Sequence, residues 1–297
     1  MSVLRTPVSN IQHAVEDVAA HLYVWALKDI PQDLRDALAD AAGKETSVPG
    51  QRVLQTILKN VQVADTEKNL VCQDTGIAVY TCKVGEHFPL HPARIYEALR
   101  DGTARATLEH PLRSNAVHTV TRENTGPNIG HRLPIVDWEF VPDWDGLDVK
   151  CVPKGSGSEN MSFLPGVRKL DDGRYEKVCI GTTTSARMVR FTEPLGKQYG
   201  VRAICGNGGF PDEAVEPMQK HGMVYFAIVG GAAAFETTQI EEIAEVAWEE
   251  LMPECLWKFR VKDFGPLTVG IDAHGNSLYH DVQAAAQERL EEIFARL

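Results

Sequence analysis

Gly181-Thr182-Thr183-Thr184-Ser185-Ala186-Arg187-Met188 sets a run of hydroxyl side chains directly after a glycine, with Arg187 four residues beyond Thr183. Val178, Cys179 and Ile180 read as the end of a buried strand, and Thr183 to Arg190 as a helix. At a helix N-terminus, Ser and Thr cap amides that have no intrahelical partner. Those amides and the helix dipole together favour an anion, and Arg187, one turn in, shares a face with Thr183. An ordinary capped helix needs the same hydroxyls, so the run alone leaves both readings open.

Other segments carry chemistry of the same kind. Cys72-Gln73-Asp74-Thr75-Gly76 follows Leu70 to Cys72, which reads as a strand, so its side chains emerge at a strand end. A thiol beside a carboxylate suits a metal or cluster ligand next to an acid–base group, or a buried cysteine before a turn. Pro111-Leu112-Arg113-Ser114-Asn115-Ala116-Val117-His118 and Asn124-Thr125-Gly126-Pro127-Asn128 concentrate hydrogen-bonding side chains, as a pocket lining or a structured surface loop does. Gly206-Asn207-Gly208-Gly209 offers backbone amides at close approach, or a plain tight turn. Lys154-Gly155-Ser156-Gly157-Ser158-Glu159-Asn160 is glycine-rich but fits neither the phosphate-loop nor the dinucleotide spacing. His87 and His91 have helical ligand spacing, yet Pro89 and Pro92 argue against a helix face there.

The elements that must position these residues alternate in type. Ile11, Val15, Val18, Leu22 and Trp25 recur at helical spacing, and Ser47 with Pro49 opens a second helix carrying Val53, Ile57 and Val61. Ile77 to Val84 reads as a strand, Pro92 to Leu108 as a helix, and Glu109 to Gly130 as a long functional loop. Ile135 to Phe140 and Leu147 to Val152 follow as strands. Further on, Arg174 to Ile180, Val201 to Cys205 and Val224 to Val229 read as strands, a helix starts near Pro211, and Val282 to Leu297 is a closing helix. Leu256 to Lys262 and Leu267 to Ile271 look like a strand pair around Phe264-Gly265-Pro266. The expected fold is α/β with α+β mixing, in two domains, 1–164 with a helical start and 165–297 of α/β type.

Bulk properties narrow the partners. The chain has 297 residues and a formal net charge of −11, which argues against nucleic acid and acidic membranes. A small anion remains compatible, because a few Arg and Lys side chains dominate a pocket. No apolar run approaches spanning length. Met1 to Asn10 lacks a signal pattern, and the cysteines have no paired spacing, so a cytoplasmic location is expected.

Together these motifs resemble the class I iron–sulfur fumarases and the related L-tartrate dehydratases, in two blocks. Residues 45–162 resemble the first part of the family's α half, through Cys-Gln-Asp-Thr-Gly at 72–76, Pro-Leu-Arg-x-Asn-Ala-Val at 111–117, Asn-Thr-Gly at 124–126 and Lys-Gly-x-Gly-Ser-x-Asn at 154–160. Residues 165–281 resemble the later part of the β half, through the run at 181–188, then Trp257, Val261-Lys262-Asp263-Phe264-Gly265-Pro266 and Asp272-x-His274-Gly275-Asn276.

The resemblance implies a lyase that adds or removes water on a small carboxylic acid such as a fumarate, malate or tartrate analogue. It implies Asp74 as acid and Thr183 as base, with Arg113 and Arg187 binding carboxylates. Gln73, Gly155, Ser156 and Asn207 would line the substrate pocket. Asn207 stands where the family has a lysine, so it offers an amide and no charge. The family's 4Fe-4S cluster is held by three cysteines, and of these only Cys72 has a counterpart. The segments with the other two, at the end of the α half and the start of the β half, have no match. The expectation is therefore that this chain does not assemble the three-Cys cluster by itself. Cys179 and Cys205 stand beside the pocket motifs as replacement ligands, and a single metal held by Cys72 and histidines is a further reading. A homodimer or higher homo-oligomer is expected. The competing reading is a degenerate, non-catalytic module that binds a small acid.

Overall fold

In the computed structural model of the protein, which describes residues 8–72, 75–110, 112–118, 121, 124, 126–155, 166–182 and 184–294, α1 (Val8–Lys28) packs along α4 (Pro92–Glu109). The buried stripe of α1 runs through Ile11, Val15, Ala19, Tyr23 and Leu27, each four residues from the last. Val18 and Trp25, part of the expected apolar face, are 47% and 66% exposed. Alanines and a glycine decide the face. A Cβ on Gly102 of α4 would lie 2.5 Å from the Glu16 carbonyl oxygen and 2.8 Å from the Ala19 Cβ, so the two helices touch backbone to backbone there. Pro92 opens α4, and the His91 ring accepts from the Ala93 amide at 3.2 Å, capping it.

Under these helices lies a three-stranded sheet. β1 (Val79–Gly85) is central, parallel to β2 (Ile135–Val141) and antiparallel to β3 (Leu147–Cys151). Tyr80, Cys82 and Val84 alternate into the helix-facing core, as a half-buried strand requires. The buried Tyr80 hydroxyl meets Thr103 Oγ1 at 2.9 Å, so its burial leaves no unsatisfied polar group. α2 (Gln32–Lys44) and α3 (Val48–Glu67) complete the helical start.

The described residues divide into two compact units. The first draws on residues 1–38, 58–181 and 233–262, the second on 39–57, 182–232 and 263–297. The expected junction between 164 and 165 lies outside the described residues. Besides the sheet above, the first unit holds the hairpin β4 (Val167–Lys169) and β5 (Tyr175–Lys177), the short α7 (Ala233–Thr238), and the pair β8 (Ile240–Ala247) and β9 (Leu256–Val261).

The second unit holds α5 (Thr192–Gln198), α6 (Val215–His221), α8 (Leu278–Phe294) and the strands β6 (Ala203–Asn207), β7 (Val224–Ile228) and β10 (Thr268–Ile271). β7 is central, parallel to β6 and antiparallel to β10. Phe210, Ala214, Met218, Met223, Tyr225 and Ile271 form its core.

The fold is α/β with a helical N-terminal region, as expected. Four local expectations change. Leu70 to Cys72 is not a strand, and of Arg174 to Ile180 only Tyr175–Lys177 is. The expected pair of 256–262 with 267–271 does not form, because β9 pairs with β8 and β10 with β7. Asp263 (φ 52°) and Gly265 (φ 144°) lie in the connection between these strands with positive φ. The expected α-helix after Thr183 is a 3₁₀ stretch, Ser185–Phe191, and Thr184 at its start makes no side-chain cap bond. The capping role assigned to these hydroxyls therefore gives way at Thr184.

Candidate functional site

Arg113 is buried in the first unit, and its amide donates to Thr75 Oγ1 at 2.7 Å. That bond ties the 112–118 loop to Thr75. Asn115 and Asn128 each donate a side-chain amide to the Gly76 carbonyl at 2.8 Å, and Asn128 Oδ1 accepts from the Asn115 amide at 2.9 Å. Gly76 is left-handed (φ 67°), and a Cβ there would lie 2.4 Å from the Lys154 carbonyl oxygen. Ile77 and Lys154 exchange backbone hydrogen bonds of 2.9 and 2.8 Å, which set Gly155 beside Gly76. Three of the motifs separated in sequence thus meet in one unit.

A second set of buried amides and hydroxyls joins this region to α7. Asn60 donates to the Val71 carbonyl and accepts from the Phe235 amide, both at 2.9 Å. Asn69 donates to the Val178 carbonyl, and the Cys179 thiol lies 3.6 Å from the Leu70 carbonyl it donates to. Thr237 Oγ1 accepts from the Ile180 amide at 2.7 Å. The segments 69–72 and 178–181 and the helix α7 are therefore fixed to one another. Between the two clamped neighbours, Phe235 and Thr237, stands Glu236, 3% exposed. Neither Glu236 nor these asparagines was singled out by sequence reasoning. The available signal was a lone carboxylate in the small and apolar run Gly230-Gly231-Ala232-Ala233-Ala234-Phe235.

A cavity of about 570 Å³ opens beside this network, lined among others by Leu112, Arg113, Ser114, Asn124, Arg168 and Cys179. Its volume suits a small metabolite. The buried Ser114 hydroxyl has no hydrogen-bond partner among the described residues, the condition of a group that a ligand satisfies.

Two of the remaining candidates lie in the second unit. Arg187 is half-buried on the 3₁₀ stretch. Asn207 closes β6, and its side-chain amide donates to the Thr182 carbonyl at 2.5 Å, next to a backbone bridge between Thr184 and Asn207. The hydroxyl of Tyr225, fully buried, lies 3.0 Å from the Gly206 and Gly208 carbonyl oxygens and 3.1 Å from Ser185 Oγ. The glycine turn and the start of the 3₁₀ stretch are thereby held together. Gln73, Asp74, Ser156 and Thr183 lie outside the described residues.

All six cysteines are described, and the five of the first unit do not form a three-thiolate cradle. Cluster ligands are thiolates. Burial pushes the Cys82 and Cys151 thiols up to about 12, inside the sheet core. Burial also raises Cys179, which donates its proton to a carbonyl, and Cys255 at the head of β9. Cys72 is half-buried near Cys179. A mononuclear site at Cys72 gains no support either. Among the described residues, the set of three metal-competent side chains with ligand atoms within 4.8 Å of one another is Glu86, His87 and Asp143. It lies at the far end of β1 from Thr75. No helix among the described residues is long and apolar enough to cross a membrane.

The family model described as fumarate hydratase matches residues 16–185, and that described as fumarase C-terminus matches 168–282. The chain is 35% identical over 159 residues to the putative L(+)-tartrate dehydratase subunit alpha of Methanocaldococcus jannaschii, covering 53% of this chain and 56% of that protein. It is 44% identical over 130 residues to the L(+)-tartrate dehydratase subunit beta of Escherichia coli, covering 43% of this chain and 64% of that protein. The putative beta subunit of the same Methanocaldococcus is 39% identical over 131 residues, 43% of this chain and 67% of its own length. The chain thus matches relatives of both subunit names and spans only part of each.

Proposed function

The chain belongs to the fumarate hydratase family, and from that premise we propose that it is a hydro-lyase acting on a small carboxylic acid of the fumarate, malate or tartrate type. The observation that carries the reading is the buried Arg113, braced by Thr75 and facing a cavity of about 570 Å³. In the proposed mechanism, Arg113 and Arg187 each bind a carboxylate. Thr183 removes the proton from the carbon beside a carboxylate, and the cationic donors stabilise the enolate-like charge that develops. Asp74 protonates the departing hydroxyl, so that the carbon–oxygen bond breaks and water leaves. Gln73, Gly155 and Ser156 line the pocket. Asn207 contributes through the Thr182 carbonyl to which its side chain donates.

The test is turnover of fumarate, L-malate and L-tartrate by the purified chain. Arg187→Ala is expected to raise KM about ten-fold or more with a smaller change in kcat, the signature of binding lost equally from ground and transition states. An unchanged KM would remove Arg187 from the substrate's contacts. Retained acid binding with no turnover of any of the three would instead mark a binding module.

No step of this mechanism runs through an iron–sulfur cluster. Protein purified anaerobically is expected to be colourless and to contain far less than the roughly four iron and four sulfide per chain of such a cluster. A brown protein with that content, lost on Cys72→Ala, would overturn this expectation.

A further inference from the structure

Ser114 is a buried polar residue that the mechanism above does not use. It is 8% exposed, and its hydroxyl meets no hydrogen-bond partner among the described residues. A buried hydroxyl in that state carries its full desolvation penalty, which an alanine in the same place would avoid. The backbone around it is pinned. The Arg113 amide donates to Thr75 Oγ1 at 2.7 Å, the Ser114 carbonyl accepts from Asn124 Nδ2 at 3.0 Å, and the Asn115 amide donates to Asn128 Oδ1 at 2.9 Å. Side chains from outside thus hold residues 113 to 115, and none of them serves the Ser114 hydroxyl. Ser114 lines the cavity of about 570 Å³ beside Arg113. Two other cations of that lining, Arg168 and Lys169, are exposed and pair with Glu176 and Glu249 at 3.2 and 2.8 Å, whereas Arg113 is buried. A buried guanidinium next to a buried hydroxyl is a donor pair suited to an oxyanion.

We propose that Ser114 is a ligand-binding residue whose hydroxyl donates to the carboxylate that Arg113 binds. A carboxylate has about four lone-pair sites on its two oxygens, so it accepts from the hydroxyl without giving up the guanidinium. Binding then removes a penalty that the empty protein carries. The hydroxyl therefore adds to affinity while detracting from the stability of the empty chain. A serine with a structural role behaves in the opposite way, because its removal destabilises the empty chain. Ser114 also stands at the position that the shared motif Pro-Leu-Arg-x-Asn-Ala-Val leaves open, so the hydroxyl is a property of this chain. The inference rests on the proposed reading only in taking a small carboxylic acid as the ligand, and its test is binding and melting rather than turnover.

Titration calorimetry and thermal melts of the full chain provide that test, with L-malate and with succinate, which has the carboxylates and nothing to eliminate. Ser114→Ala is expected to weaken binding of both acids about ten-fold or more, the scale of one hydrogen bond to a charged acceptor. The empty variant is expected to melt at the wild-type temperature or above it, and to gain less than the wild type when either acid is added. Ser114→Cys replaces the hydroxyl by a weak donor of similar shape, and its affinities are expected to lie between those of the wild type and the alanine variant. A lower melting temperature of the empty Ser114→Ala protein, failure to fold included, would mark a structural serine and overturn the proposal. Unchanged affinities in the variants, or no binding of either acid by the wild type, would overturn it as well. Weakened binding without turnover of any acid would uphold it while the hydro-lyase reading fails. Turnover with unchanged affinities in Ser114→Ala would do the reverse.

Discussion

Thr183→Val is expected to abolish measurable turnover while the protein keeps its melting temperature. Valine nearly preserves the shape of threonine and removes the hydroxyl. Loss of a positioned base lowers kcat by about 10²–10⁴-fold. Its neighbours are held from outside the run, because Asn207 donates to the Thr182 carbonyl and Thr184 bridges Asn207 through the backbone. Steady-state rates on whichever of fumarate, L-malate or L-tartrate the wild type converts provide the measurement. Wild-type kcat in the variant would take Thr183 out of the mechanism.

The second large effect is expected at Gly76, where Gly76→Ala should cost both stability and activity. The residue is left-handed at φ 67°, and the added methyl would lie 2.4 Å from the Lys154 carbonyl oxygen and 2.9 Å from its carbon. Left-handed backbone costs a non-glycine residue about 1–2 kcal/mol, and overpacking against backbone about 1–3 kcal/mol more. Relief requires the 75–77 and 154–155 segments to part. The Gly76 carbonyl accepts from Asn115 and Asn128, so the same movement loosens the loop carrying Arg113. Thermal unfolding is expected several degrees lower, with weaker acid binding. An unchanged melt and affinity would show that the two segments are not in contact.

Much of the candidate chemistry was legible in residue types alone. An arginine within Pro111-Leu112-Arg113, a hydroxyl run before Arg187, and glycines at 76 and 155 are intelligible without coordinates. The structure buries Arg113 and holds Gly76 in the left-handed region. The path of α1 was only half legible. Hydrophobic periodicity favoured Val18 and Trp25, whereas the helix buries Ala19 and Tyr23. Hydrophobicity weights large side chains, but close helix contact is set by small ones, and Gly102 is visible as a contact point only once α4 lies across α1.

The sequence by itself determined local elements such as α4 and β1. α4 has its proline at the first turn and a capping His91, and β1 has its alternation of Tyr80, Cys82 and Val84. These are short-range properties, set by backbone sterics and by neighbours within a few residues. Only the tertiary structure decided which strands pair and which polar groups meet. β9 joins β8 rather than β10, although the backbone hydrogen bonds on offer are chemically the same for either partner. What discriminates is long-range packing, such as Trp257 of β9 meeting the Tyr175 ring edge-on at 5.0 Å. Asn60, Asn69 and Thr237 are unremarkable in the chain, yet they bind the segments 69–72 and 178–181 and the helix α7 into one buried network. Burial makes each unmet donor or acceptor costly, so these side chains fix the segments in one arrangement, and with them the place of Glu236.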